Sequence, residues 1–213
     1  MKKLLLVLLF FYINNSYVYS IEPDVFVQST VNRASQILSK NISKEKKIEE
    51  LKLIAKETVD IKGVGFYSLG SARKNLNDNQ KKQYLNLFEN YFLKSFSSRL
   101  AEYTNPEINV KNKEVINNNY TIVNSVLVAT AQRPEVKIDW RIYTKNPDNP
   151  LIRDLIIEGL SLARTQKEEF TSISGFVYSA NLLEKLFKKY CSKSLEYFSF
   201  IFSFNSFRFD PKV

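Results

Sequence analysis

The sequence predicts an α+β domain in which N-terminal helices pack on a C-terminal antiparallel sheet of about four strands, and three observations lead there. From Asp24 to about Tyr103 apolar residues recur at helical spacing; from Glu107 to Ile157 they alternate or run continuously as strands do; and the strand-like runs are joined by links as short as Asn117-Asn118-Asn119 and Gln132-Arg133-Pro134. Residues three and four apart share a helix face, whereas successive strand residues point to opposite faces. Short links between consecutive strands imply antiparallel pairing. Helices first, sheet second and a closing helix from Ser161 give a helical layer covering one concave sheet face.

The chain opens with Lys2 and Lys3, an apolar run Leu4 to Ile13, polar Asn14-Asn15-Ser16, and Val18-Tyr19-Ser20. These are the three parts of a secretory signal peptide, expected to be cut after Ser20. The run falls short of the about 20 apolar residues that span a bilayer; retention as an uncleaved anchor is the alternative. No cysteine stands at the cleavage point, which argues against a lipoprotein. The expected organisation is therefore a leader over 1–20, one domain over 21–190, and an aromatic extension over 191–213.

Asp24 can cap a first helix whose inner stripe is Val27, Val31, Ala34 and Leu38. Ser43 opens a second, with Ile48, Leu51, Ala55 and Val59 inward. Asp60 to Arg73 reads as a weaker third helix, because Gly63 and Gly65 each cost about 1 kcal/mol relative to Ala, unless their missing side chains serve close approach. Asn77 and Gln80 form a capping box at the start of the longest helix, which runs to about Tyr103. Its apolar surface (Tyr84, Leu85, Leu87, Phe88, Tyr91, Phe92, Phe96, Leu100) is wider than the roughly 100° stripe of an ordinary surface helix. Such width suits contact on two sides, with core on one flank and either more core or a cavity on the other.

Strands are expected at Ile108 to Lys111, Glu114 to Ile116 with Tyr120 to Ala131, Pro134 to Tyr143, and Leu151 to Ile157. In the third of these runs Val136, Ile138, Trp140 and Ile142 share one face while Glu135, Lys137, Asp139 and Arg141 share the other. Pro147 and Pro150 lack a ladder donor, so the chain must reverse between them. Glu158-Gly159 interrupts the return strand, and Ser161 is a good N-cap for the helix that follows. A terminal helix centred on Asn181 to Phe187 completes the domain. Beyond it Phe198, Phe200, Phe202 and Phe204 alternate with Ser199, Ile201, Ser203 and Asn205, which suits an edge strand, a membrane-touching arm or an aggregation-prone appendage.

Composition removes much catalytic chemistry. Histidine is absent and Cys191 is the one cysteine, so a Ser-His-Asp triad, a Cys-His dyad, an imidazole or thiolate zinc site and an intramolecular disulfide are all excluded. With 44% hydrophobic and 14% aromatic residues the chain is not disordered, and its 213 residues suit one domain able to enclose a ligand. The formal charge is +9, or +7 without Lys2 and Lys3, which fits either anionic partners or a lysine-rich bias spread over a solvated surface. No basic and aromatic constellation points to nucleic acid. No phosphate loop is present and no cofactor is implied.

Asp154-Leu155-Ile156-Ile157-Glu158-Gly159-Leu160-Ser161-Leu162, followed by Thr165-Gln166-Lys167-Glu168-Glu169-Phe170, resembles the hallmark block of the MlaC family of periplasmic phospholipid-binding proteins, the toluene-tolerance auxiliary family. A second block agrees in order upstream: Leu69-Gly70, the polar Leu76 to Gln80 link, then Phe88 and Tyr91. The resemblance covers Asp24 to about Leu186. Leu151-Ile152-Arg153 replaces an aromatic residue that members often carry before the Asp154 position, and the tail past Leu186 has no counterpart. The resemblance implies an NTF2-like α+β fold with a deep apolar pocket. It further implies a carrier, not an enzyme, working in the periplasm between an outer-membrane lipoprotein and porin complex and an inner-membrane ABC-type lipid transporter, and so maintaining outer-membrane lipid asymmetry.

Shielding two tails of about 16 carbons from water, at about 0.8 kcal/mol per CH₂, requires on the order of 25 kcal/mol from such a pocket. Candidate lining residues are Phe66, Leu69, Phe88, Phe92 and Phe96 from the helices, Val136, Ile138, Trp140 and Ile142 from the sheet face, and Ile156 from the return strand; for each, plain core packing is the competing role. Within the hallmark block, Asp154, Glu158, Gly159 and Ser161 suit turn and cap roles, or docking to partners. Arg141, Arg153 and Arg164 are candidates to meet a phosphate head group. Two other functions fit the residues: an enzyme on the same scaffold using Asp139, Asp154 or Glu158 as acid or base, and a carrier of another hydrophobic ligand such as a sterol-like or hopanoid molecule.

Overall fold

The computed structural model describes residues 20–131 and 133–174, the last four by their backbone alone. The leader, the expected helix around Asn181 to Phe187, Cys191 and the aromatic tail lie outside the described residues, apart from Ser20 itself.

The helical half forms largely where its caps dictate. Helix α1 spans Pro23–Ser39 with Glu22, not Asp24, as N-cap, since Pro23 occupies a first-turn position where its missing N–H goes unneeded. Helix α2 spans Lys44–Thr58, and the Ser43 side chain accepts from the Lys46 N–H as expected. The third segment divides into α3, Ile61–Ser68, and a 3₁₀ turn, Gly70–Lys74. Gly65 allows α3 to sit hard on the next helix: a Cβ there would stand 2.9 Å from the Phe88 ring. Helix α4, Asp78–Leu100, begins at the complete Asn77/Gln80 capping box.

The sheet has five strands in sequential antiparallel order: β1 Ile108–Asn117, β2 Tyr120–Leu127, β3 Val136–Tyr143, β4 Leu151–Ile157 and β5 Leu160–Ser161. The two short runs expected before Asn117 are one strand, kept continuous by register shifts at Val110/Asn112 and Val115/Asn117. The second strand stops at Leu127, short of the expected Ala131. Glu158 and Gly159 do more than interrupt. With φ of 49° and 82° they form a two-residue turn that returns the chain as β5, since hairpin turns of this kind need positive φ at both central residues. Helix α5, Leu162–Ser174, follows directly.

Helix α1 lies on the inner face near the β1 edge. The Gln28 amide donates to the Ile108 carbonyl and accepts from the Val110 N–H, closing part of an edge that would otherwise be free to pair. Val27 and Val31 pack on Val123, Leu127, Ile138, Trp140 and Ile142 in the main core. A second core joins α3 to α4 through Val64, Leu69, Tyr84 and Phe88, with Phe170 of α5 packed against it. A third ties the end of α1 to α2.

Candidate functional site

Between the helices and the inner sheet face lies a cavity of about 170 Å³. Its wall comprises Val31, Ala34 and Leu38 of α1, Leu51, Ile54 and Ala55 of α2, Phe88, Phe92 and Phe96 of α4, Leu127, Ile138, Trp140, Leu155 and Ile157 of the sheet, and Leu162, Ala163 and Gln166 of α5. Four rings of α4, Tyr84, Phe88, Phe92 and Phe96, stack at successive centroid distances of 5.9, 6.2 and 5.4 Å. The i, i+4 spacing makes this ladder, because such residues lie one above another on a helix. The stretch of wall from Phe88 to Leu100 is about 18 Å long at about 1.5 Å per residue.

Three hydroxyls of the wall are used up locally. Thr30, Ser35 and Thr58 donate to the carbonyls of Phe26, Pro106 and Ile54. The Trp140 indole N–H donates to Ser125 Oγ at 2.8 Å, which in turn donates to the Ile138 carbonyl, so a buried indole presents only its ring. At one end Tyr91 donates to Gln166, and Gln166 donates to Glu169, whose carboxyl is raised above its ordinary range by burial. At the other end burial pushes the Tyr103 phenol up to about 12, against the opposing pull of Arg133 and Arg99.

Five of the ten candidate lining residues meet at this wall: Phe88, Phe92, Phe96, Ile138 and Trp140. Phe66 and Leu69 lie outside it, in the core that joins α3 and α4. Val136 and Ile142 share the face of Ile138 and Trp140 but flank them at the two ends of β3, within packed core. Ile156 corrects the expectation most sharply. It stands opposite Asp139 in the register and so shares the outer face, while Leu155 and Ile157, opposite Trp140 and Ile138, line the cavity. The α1 and α2 contributions were missed because a periodic apolar stripe shows which face is inward, not what it encloses.

A family model described as MlaC protein matches residues 28–188. The chain belongs to the MlaC family. No curated protein matches it. Among solved structures, this MlaC chain is similar to the phospholipid-binding protein from Ralstonia solanacearum, determined in complex with a phospholipid, at 16% identity and a TM-score of 0.66 over 84% of this chain and 99% of that one. At that identity the likeness is one of fold.

The hallmark block by which the sequence resembles MlaC proteins is an anchoring device for α5. Asp154, 5% exposed, accepts from Ser161 Oγ at 2.6 Å and from the Ala163 N–H at 2.9 Å, while Ser161 accepts from the Arg164 N–H. Glu158 accepts from the Lys137 N–H at 2.6 Å and its own N–H donates to the Lys137 carbonyl, pinning the turn to β3. Gly159 supplies the second positive φ. The three carboxylates considered as acid or base are thus engaged separately: Asp139 accepts from Asn124 on the outer face, and Asp154 and Glu158 hold the turn and helix. Of the arginines, Arg153 is the extra residue of a β-bulge opposite Arg141 and Ile142, donates to Asp60 and Tyr120, and lies 4.2 Å from the Tyr143 ring centroid. Arg141 faces Asp154 at 3.6 Å, and Arg164 is exposed. Arg99, absent from the sequence-based candidates, is the arginine that lines the cavity at its other end.

Proposed function

We propose that this protein is a periplasmic carrier that takes up phospholipid with its acyl chains in the apolar cavity and shuttles it between outer-membrane and inner-membrane complexes, helping to maintain outer-membrane lipid asymmetry. The observation that carries the reading is the aromatic wall of α4 facing Ile138 and Trp140, an apolar surface about 18 Å long. That length is close to one bilayer leaflet of hydrocarbon, about 15 Å. Family membership and the phospholipid held by a protein of the same fold support the ligand class. The leader pattern over 1–20 supports export, and N-terminal sequencing of the mature protein should begin near Ile21. Intact Met1 in a membrane-extracted protein would contradict that.

A carrier, unlike an enzyme, returns its ligand unchanged. Vesicles containing a fluorescent phospholipid are mixed with unlabelled acceptor vesicles, with and without catalytic amounts of the protein. The reading expects accelerated transfer of intact lipid to the acceptors. Chemical conversion of the lipid, or transfer no faster than the protein-free rate, would sink it.

A further inference from the structure

The two ends of the cavity differ in their polar groups. Towards α5 the nearby arginines are matched by carboxylates, Arg153 with Asp60 at 2.5 Å and Arg141 with Asp154 at 3.6 Å. Towards the end of α4, Arg99 lines the wall with a side chain 14% exposed, and Arg133 lies 5.6 Å from the ring centroid of Tyr103, itself part of the wall. Lys44 is also there, 3.9 Å from the Glu102 carboxylate that Arg99 binds at 2.5 Å. Arg99 and Lys44 thus share the Glu102 carboxylate.

One turn back along the same stripe, Ser95 lines the cavity, 6% exposed, and its hydroxyl has no hydrogen-bond partner. The same holds for Arg133 Nε. Buried polar atoms are ordinarily paired, as the hydroxyls of Thr30, Ser35 and Thr58 on this wall are. Ser95 and Arg99 are four residues apart, about 6 Å along the axis, comparable to the few bonds separating an acyl ester from the phosphate of a glycerophospholipid.

We infer that this end of the cavity is a subsite for the anionic end of an amphiphile: Arg99 and Arg133 receive a phosphodiester or carboxylate, Ser95 donates to an ester carbonyl, and the chain runs along Phe96, Phe92 and Phe88 towards α5. The assignment rests on the carrier reading and adds an orientation to it. It also moves the head group away from Arg141, Arg153 and Arg164.

The test titrates delipidated full-length protein with phosphatidylglycerol, oleate and diacylglycerol, reading displacement of a fluorescent fatty-acid probe, with thermal midpoints as a folding control. For Arg99→Gln/Arg133→Gln the expectation is about tenfold weaker phosphatidylglycerol binding with diacylglycerol changed less than about twofold. Weakening confined to phosphatidylglycerol assigns the subsite to phosphodiesters, and equal weakening of oleate assigns it to anions generally; either supports the inference. Ser95→Ala should weaken both ester lipids and spare oleate. Equal loss of phosphatidylglycerol and diacylglycerol in the arginine variant, no loss, or the same loss in the exposed Arg164→Gln would overturn it. Should the double variant fail to fold, Arg133→Gln alone, outside the wall, carries the same comparison. Wild-type protein that bound none of the three would remove the carrier reading and the subsite together.

Discussion

Trp140 and Phe92 face one cavity but differ in what else holds them. Trp140 is 7% exposed, sits in the main core and donates its indole N–H to Ser125, so Trp140→Asp leaves an uncompensated charge and a lost ring against the sheet. Truncation alone costs about 3–5 kcal/mol at such a site, and burying an unpaired charge adds to that. The variant should fail to fold, read as loss of the thermal transition. Phe92 is only partly buried and stacks on Phe88 and Phe96, so a carboxylate in its place can reach water. Phe92→Asp should remain folded, with much less bound phosphorus per protein. A folded Phe92→Asp variant with its full lipid complement would remove this ring from the site. Glu169 offers a test by pH. Burial raises its carboxyl from 4.5, so the charged form is disfavoured in the fold, and the penalty is absent below the unfolded value and grows as pH rises through the folded one. Glu169→Gln, which keeps an acceptor for Gln166, should therefore stabilise the protein near pH 7, with the difference fading as pH falls below 4.5. Denaturant midpoints at the two pH values check it.

At the scale of elements, the hallmark block holds α5 over the cavity more than it touches a ligand. Asp154→Ala should cost about 1–3 kcal/mol, because it leaves the Ala163 N–H and the Ser161 hydroxyl without their acceptor, and Asp154→Asn should cost less. Hydrogen exchange of α5 amides reads the effect directly: protection should fall there and persist in β2 and β3. Uniform loss across the chain would contradict a local anchor. The same elements show what the sequence made legible. Ser43, the Asn77/Gln80 box and the alternation of Val136 to Ile142 predict their caps and inward face because each signal is local. The outward face of Ile156 is not legible in β4, since Leu151 to Ile157 is apolar on both faces apart from Arg153 and Asp154 and carries no alternation to fix parity. Its register against β3, with the bulge at Arg153, is what orients Leu155 and Ile157 inward. Arg99 was passed over because a single arginine near a helix end looks like a solvated, dipole-matching charge.

For the whole molecule, the α+β order, the antiparallel sheet and the covering helices follow from the sequence, whereas the cavity follows from how three cores leave a gap between them. Its 170 Å³ is below the about 300–1,000 Å³ of usual ligand pockets, so a two-chain lipid requires its walls to part. Phe92 and Phe96 are only partly buried, and α5 is a short helix held by its turn and by Phe170, so these parts of the wall can move. Loading should accordingly lower the exchange protection of α5 and leave β2 and β3 unchanged. A phospholipid is expected to occupy this cavity. Native mass spectrometry of the protein isolated from the cell envelope, followed by fragmentation of any adduct, tests it most directly. The expected result is a protein ion carrying intact phospholipid, and a folded Phe92→Asp protein that has lost it; an envelope-purified protein that carries no lipid, or whose Phe92→Asp variant keeps the same adduct, would contradict occupancy of the cavity.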